Sequence, residues 1–244
     1  MVIKIEQIKS GLKSKFAVQM NKEFKYYAYS YGIKNINNFY ITNIAGEVVL
    51  TSDNINNVLS EDNKRSNIFN NEKQKVAEYY FESGIKFFIE YNNEEIKGYY
   101  RNEDYNTCIS FYKDDVQVAE IVKSKTTFNN SDKYFIFILD RYNYLGEILS
   151  LFTIYYDYYY YNTASSELKS YSNSVSFELA NKECLNNLEW VKENFNINEY
   201  MTIDKVSKVQ YQKALLEFKE TMIFLALIGF FVFGTMLLIK VCSK

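Results

Sequence analysis

The side chains able to carry chemistry are few, and they limit the reactions open to this chain. There is no histidine among its 244 residues. That removes the commonest general base near neutral pH and the commonest metal ligand. A Ser–His–Asp or Cys–His centre cannot be assembled from these residues. Cys108, Cys184 and Cys242 are scattered, with no CxxC pair, so neither a zinc site nor a disulfide framework is expected. Cys242 follows an apolar segment, but no acylation motif accompanies it. Glu94-Glu95 and Asp114-Asp115 are adjacent carboxylates. Calcium needs roughly six to eight oxygens in a compact array, and no DxDxDG loop supplies them. Both pairs read as turn and surface residues. No catalytic residue, cofactor or metal is expected.

Three lysines remain as candidates for binding. Lys123 and Lys125 fall on the same side of a strand, with Lys133 nearby in sequence. Together they can contact lipid phosphates at a membrane. The plainer alternative is a solvated strand end, because the net charge of −2 sets up no general basic field. Asp157 stands in an otherwise apolar stretch, so it needs a hydrogen-bond partner or a place at a solvated rim. The tyrosines from 155 to 161 read as packing with a rim of hydroxyls, with a stacking platform as the alternative.

The elements that position these residues change character along the chain. Residues 1–13 read as a polar lead-in. From 15 to 139, short apolar runs are cut by Asn, Asp and Gly. Candidate strands fall at 15–20, 25–31, 39–43, 47–51, near 68–69, and at 76–81. Ile85, Phe87, Ile89 and Tyr91 alternate on one face, and Ile96, Gly98 and Tyr100 return after Asn92-Asn93. Tyr105, Thr107, Ile109 and Phe111 repeat the pattern, followed by Val116, Val118, Glu120 and Val122, then a more continuous strand at 133–139. About eleven short strands with short connections are the signature of an antiparallel sandwich or barrel. The run EILSLFTIYYDYYYY at 147–161 has helical spacing and is apolar or Tyr on nearly all sides, as in a buried helix. Its β-branched and aromatic content leaves a strand as the alternative. Residues 162–176 are Ser-rich and read as a linker, 177–194 as helical. A last helix begins near 205, with Thr202 or Asp204 as its cap.

That helix runs into TMIFLALIGFFVFGTMLLI at 221–239, nineteen residues without a charge, twelve of them Leu, Ile, Val or Phe. At about 1.5 Å per residue, such a helix spans roughly the ~30 Å hydrocarbon core. Lys205, Lys208, Lys213 and Lys219 precede it, and Lys240 and Lys244 follow. The bias favours a cytoplasmic N-terminal domain. No apolar region of a secretory signal appears near Met1. The expectation is a single-pass, tail-anchored protein of the cell membrane with a short tail at 240–244.

Three segments carry a family likeness: VQVAEIVKSK (116–125), DKYFIFI (132–138) and EILSLFTIYYD (147–157). They resemble the end of a LURP-one-related, tubby C-terminal-like domain. Val118, Ala119, Ile121 and Lys123 match its strand ending in vA-x-i-x-K, Asp132 and Tyr134 its D-x-Y strand, and Asp157 the close of its apolar segment. The likeness covers residues 14–162. It implies a closed antiparallel barrel of about twelve strands around a central hydrophobic helix at 147–161. The family includes phospholipid scramblases and phosphoinositide-reading domains. Here a helical neck at 163–220 separates barrel from anchor, unlike in the scramblases, and no phosphoinositide-binding residues match position by position. The expected function is a non-enzymatic, membrane-tethered barrel that binds lipid headgroups or a protein partner. The alternatives are a scramblase-like membrane-active protein and a structural subunit of a membrane assembly. Nucleic acid is not an expected partner.

Overall fold

The computed structural model describes residues 1–9, 13–33, 36–53, 55–56, 65–83, 86–102, 106–124, 132–160 and 190–195, with 209, 212, 216–217 and 219–229 near the C-terminus. Its strands are β1 (Val2–Lys9), β2 (Lys13–Met20), β3 (Glu23–Ile33), β4 (Ile36–Asn43), β5 (Val48–Ser52), β6 (Ile55–Asn56) and β7 (Arg65–Asn70). They continue with β8 (Lys75–Ser83), β9 (Lys86–Tyr91), β10 (Glu94–Asn102), β11 (Asn106–Lys113), β12 (Val116–Ser124) and β13 (Lys133–Ile138). The order is β3-β2-β1-β13-β12-β11-β10-β9-β8-β7-β5-β4, and β4 pairs back onto β3. Twelve strands therefore close an antiparallel barrel, with β6 extending the pairing along β4. Closure removes the unpaired edges of an open sheet.

Local chemistry sets the corners. Asn21-Lys22, Asn92-Asn93 and Asp114-Asp115 each have positive φ at both residues. Two-residue loops of this kind match the twist of the strands they join, and Asn and Asp tolerate the left-handed region. The Asp114-Asp115 pair is thus a turn, as its sequence implies.

The strands expected between 15 and 139 are present within a few residues of their expected places. One expectation is corrected. Most of the stretch read as a polar lead-in, 1–13, is β1, which lies between β2 and β13. Ile3 and Ile5 point into the core while Lys4 and Glu6 lie outside, so a strand with only half its residues apolar still has a fully buried face.

The inward residues of the wall form one cluster with the segment from Leu145 to Tyr156. That segment is helical. A 3-10 turn (Asp140–Leu145) leads into α1 (Gly146–Tyr160). Every residue from Ile148 to Asp157 is buried. Phe152 meets Tyr79, Phe87 and Phe111 edge-on at 5.4, 5.7 and 5.4 Å. Tyr155 meets Phe39 and Tyr79, and Tyr156 meets Phe87 and Tyr100. These partners come from β4, β8, β9, β10 and β11, so the helix is flanked by wall on several sides. A strand could not satisfy its backbone there, whereas a helix bonds its own amides and carbonyls. Ser150 and Thr153 return their hydroxyls to the carbonyls of Gly146 and Leu149, and the Tyr79 hydroxyl donates to the Ile148 carbonyl at 2.6 Å. Gly98 makes room for this packing: a Cβ there would lie 2.9 Å from Cε1 of Phe111.

A smaller cluster sits on the outer face. Trp190 and Val191 of α2 (Trp190–Asn194) cover Cys108, Val122, Phe135 and Phe137. The rest of the helix expected at 177–194 lies outside the described residues, as does the neck from 196 to 208. Residues 219–229 are helical. No helix among the described residues is long and apolar enough to cross a membrane. Residues 230–239 of the expected span lie outside them.

Candidate functional site

The lysines singled out in the sequence occupy different settings. Lys123, on β12, is buried, and its ammonium lies 2.6 Å from the Asp132 carboxylate and 5.6 Å from the centre of the Tyr134 ring. The β12–β13 register, with Lys123 opposite Tyr134, brings these groups together. Lys133 lies 3.0 Å from Glu6 on the neighbouring β1. Lys125 lies outside the described residues. The charges of Lys123 and Lys133 are thus matched within the barrel wall. Asp157 is buried and accepts a hydrogen bond from the Tyr134 hydroxyl. A register-made contact joins it to the wall, so Asp157 ties the end of α1 to β13.

The carboxylate pairs are engaged as turn and surface groups. Glu94 accepts from Lys113 at 2.5 Å and from the Tyr144 hydroxyl at 2.8 Å, and both bonds hold its carboxyl below the usual range. Glu95 accepts from Tyr80. Among the described residues no group of three or more His, Cys, Asp or Glu side chains is placed to hold a metal ion.

Glu78, largely buried on the wall, is met by two cations. Lys75 and Arg65 reach it at 2.6 and 2.9 Å. The Lys75 hydrogen bond, aided by Arg65 and opposed by burial, lowers its carboxyl from the ordinary value of 4.5. A carboxyl depressed in the folded state stabilises the fold above its unfolded pKa and loses that contribution as pH falls through the folded value. The expected result is a thermal midpoint that falls on acidification below about pH 4.5. The difference between wild type and Glu78→Gln should be constant from neutral pH down to that point and shrink below it. Circular dichroism melts across the pH range check this.

At the end of the barrel where α1 begins lies a cleft of about 320 Å³. Glu47 and Glu147 line it with Tyr91, Tyr144 and an apolar floor that includes Leu50, Val76 and Ile148. The Tyr26 hydroxyl donates to Glu147 at 2.5 Å. Burial and this carboxylate push the Tyr26 phenol up to about 12, so it stays a donor. Two carboxylates at the mouth make it repellent to phosphate.

The C-terminal helix presents a different surface. Met222, Ile223, Phe224, Leu225, Leu227 and Ile228 are each between 44% and 63% exposed. Consecutive residues of a helix point in all directions, so this helix is apolar around its circumference.

Comparison of the chain with family models, with curated proteins and with solved structures found no match. The barrel and its surfaces therefore carry the functional argument alone.

Proposed function

We propose that the protein is a membrane-tethered, non-enzymatic β-barrel module, held at the cytoplasmic face by residues 221–239 and presenting its barrel to lipid headgroups or a protein partner. The observation that carries this reading is the exposed helix at 219–229. Six large apolar side chains on a two-turn stretch, exposed on all sides, are unfavourable in water and favourable in hydrocarbon. The sequence continues it with ten further uncharged residues. The closed ring of twelve strands and the buried α1 support the likeness to a tubby-like domain, which we retain as part of the proposal. The lysine bias before the span supports the orientation.

Flotation tests the tether. The full chain, made in the presence of neutral phosphatidylcholine vesicles, is expected to float with them and to remain there after alkaline carbonate washing. Recovery in the soluble fraction would remove the tether.

A further inference from the structure

The barrel has a basic rim at the end away from the acidic cleft. β1 and β2 are in regular register until a bulge between Gln7 and Lys9. A bulge re-aims the extra side chain, and bulges gather at barrel rims. Ile8 follows buried Gln7 in the ordinary alternation of a strand and is 56% exposed, and the bulge leaves Lys9 exposed as well, where regular alternation would turn it inward. Lys9 and Lys13 are exposed beside it, and Lys15 stands opposite Lys9 in the ladder. None of these three lysines pairs with a carboxylate among the described residues. Lys15 instead lies 3.6 Å from the centre of the Tyr27 ring, and Lys13 5.6 Å from that of Tyr29.

The neighbouring strands extend the same chemistry. Tyr27, Tyr29 and Tyr31 alternate along β3, and Tyr40 of β4 stacks on Tyr29 at 4.7 Å with planes 15° apart. Of the described charged residues between Lys13 and Ser52, Lys13 and Lys15 stand at this end, while Lys22, Glu23 and Lys25 at the β2–β3 turn and Glu47 lie toward the cleft end, Glu23 held by Lys25 at 2.7 Å. The rim thus combines one exposed apolar side chain, half-buried tyrosines and ammonium groups without carboxylate partners.

The geometry of the rings selects the partner. Tyr40 stacks on Tyr29, Tyr27 tilts against Tyr29 at 51°, and Lys15 and Lys13 lie over Tyr27 and Tyr29, so these faces are partly taken up where a nucleic-acid base needs one open. Apolar, tyrosyl and lysyl groups on one surface suit the interface of an anionic bilayer, where tyrosine settles at headgroup level and lysine meets phosphate.

We propose that Ile8, Lys9, Lys13 and Lys15, with Tyr27 and Tyr29, form a docking surface for the anionic headgroups of the membrane to which the chain is tethered. This rests on the tether reading and adds the face the barrel turns to the bilayer. Each lysine near such a surface contributes roughly fivefold in binding, and the effect is confined to about a Debye length.

Amine footprinting of the full chain on vesicles tests it. Labelling of Lys9, Lys13 and Lys15 should be at least about fivefold slower on vesicles containing phosphatidylserine than on phosphatidylcholine alone. Lys97, on β10, should label equally on both. Raised salt should abolish the difference, and Lys9→Gln should weaken protection of Lys13 and Lys15. Equal labelling on both vesicles, with the chain floating on both, overturns the docking surface and leaves the tether standing. Flotation only with phosphatidylserine supports the surface and removes the tether. Flotation with neither overturns both. Protection by a single-stranded oligonucleotide but not by phosphatidylserine assigns the rim to nucleic acid and overturns the proposal.

Discussion

Replacing Leu225 and Ile228 together by lysine is expected to move the chain from the membrane fraction to the soluble one. A lysine at the centre of a spanning helix costs about 3 kcal/mol and less toward its ends, and each lost Leu or Ile forfeits about 0.5 kcal/mol more. Ile228 lies near the middle of 221–239 and Leu225 nearer its start, so the two changes oppose insertion by up to about 7 kcal/mol. Both residues are exposed in the isolated chain, so neither change removes a contact with the barrel. The readout is carbonate extraction followed by flotation, with circular dichroism confirming that the β signal persists. Leu225→Ala with Ile228→Ala is the control: it shortens the side chains without adding charge and should stay with the membrane. A double-lysine chain that remains carbonate-resistant would show that residues 221–239 are not what holds it there.

The second large effect falls inside the barrel. Phe152→Ala is expected to destabilise the fold by about 3–5 kcal/mol, the usual range for deleting a buried phenyl ring. The ring is fully buried and touches Tyr79, Phe87, Phe111 and Tyr156, which belong to three strands and to α1 itself. A closed wall cannot collapse onto the vacancy as an open sheet can, so the cost should lie toward the upper end. Phe152→Leu refills part of the volume and should cost less. Urea unfolding followed by circular dichroism measures both. Equal stability of wild type and Phe152→Ala would mean that α1 does not fill the barrel.

Much of this fold is legible in the sequence because the wall obeys a period of two. Phe87 and Ile89 alternate with Phe88 and Glu90 on β9, and the inward pair is fully buried. β1 follows the same rule with Ile3 and Ile5, but its intervening Lys, Glu and Gln make the stretch look polar when averaged. Alternation, not mean hydropathy, was the signal there. The choice between helix and strand for 147–161 depends on what surrounds the segment. Both conformations bury Phe152; only the ring of strands around it decides the matter.

The binding residues were less legible, because register places them. Lys123 looks available from its spacing to Lys125. Its ion pair is set by Asp132, nine residues away, which the pairing of β13 with β12 places beside it. The basic rim is not legible along the sequence, because Lys9, Lys13 and Lys15 belong to two strands that only their pairing brings together.

The pairing of β1 with β13 also fixes a schedule for synthesis. Residues 2–6 on β1 wait for residues 133–137 on β13, so the ring cannot close until more than half of the chain has been translated. The helix that fills it comes later still, ending at Tyr160. Some sixty residues then separate that point from residue 221, and at about 5–20 residues per second they take roughly 3–12 s to make. All-β domains typically fold in milliseconds to seconds. The ribosome thus has time to release a closed, filled barrel before it makes the apolar helix that follows.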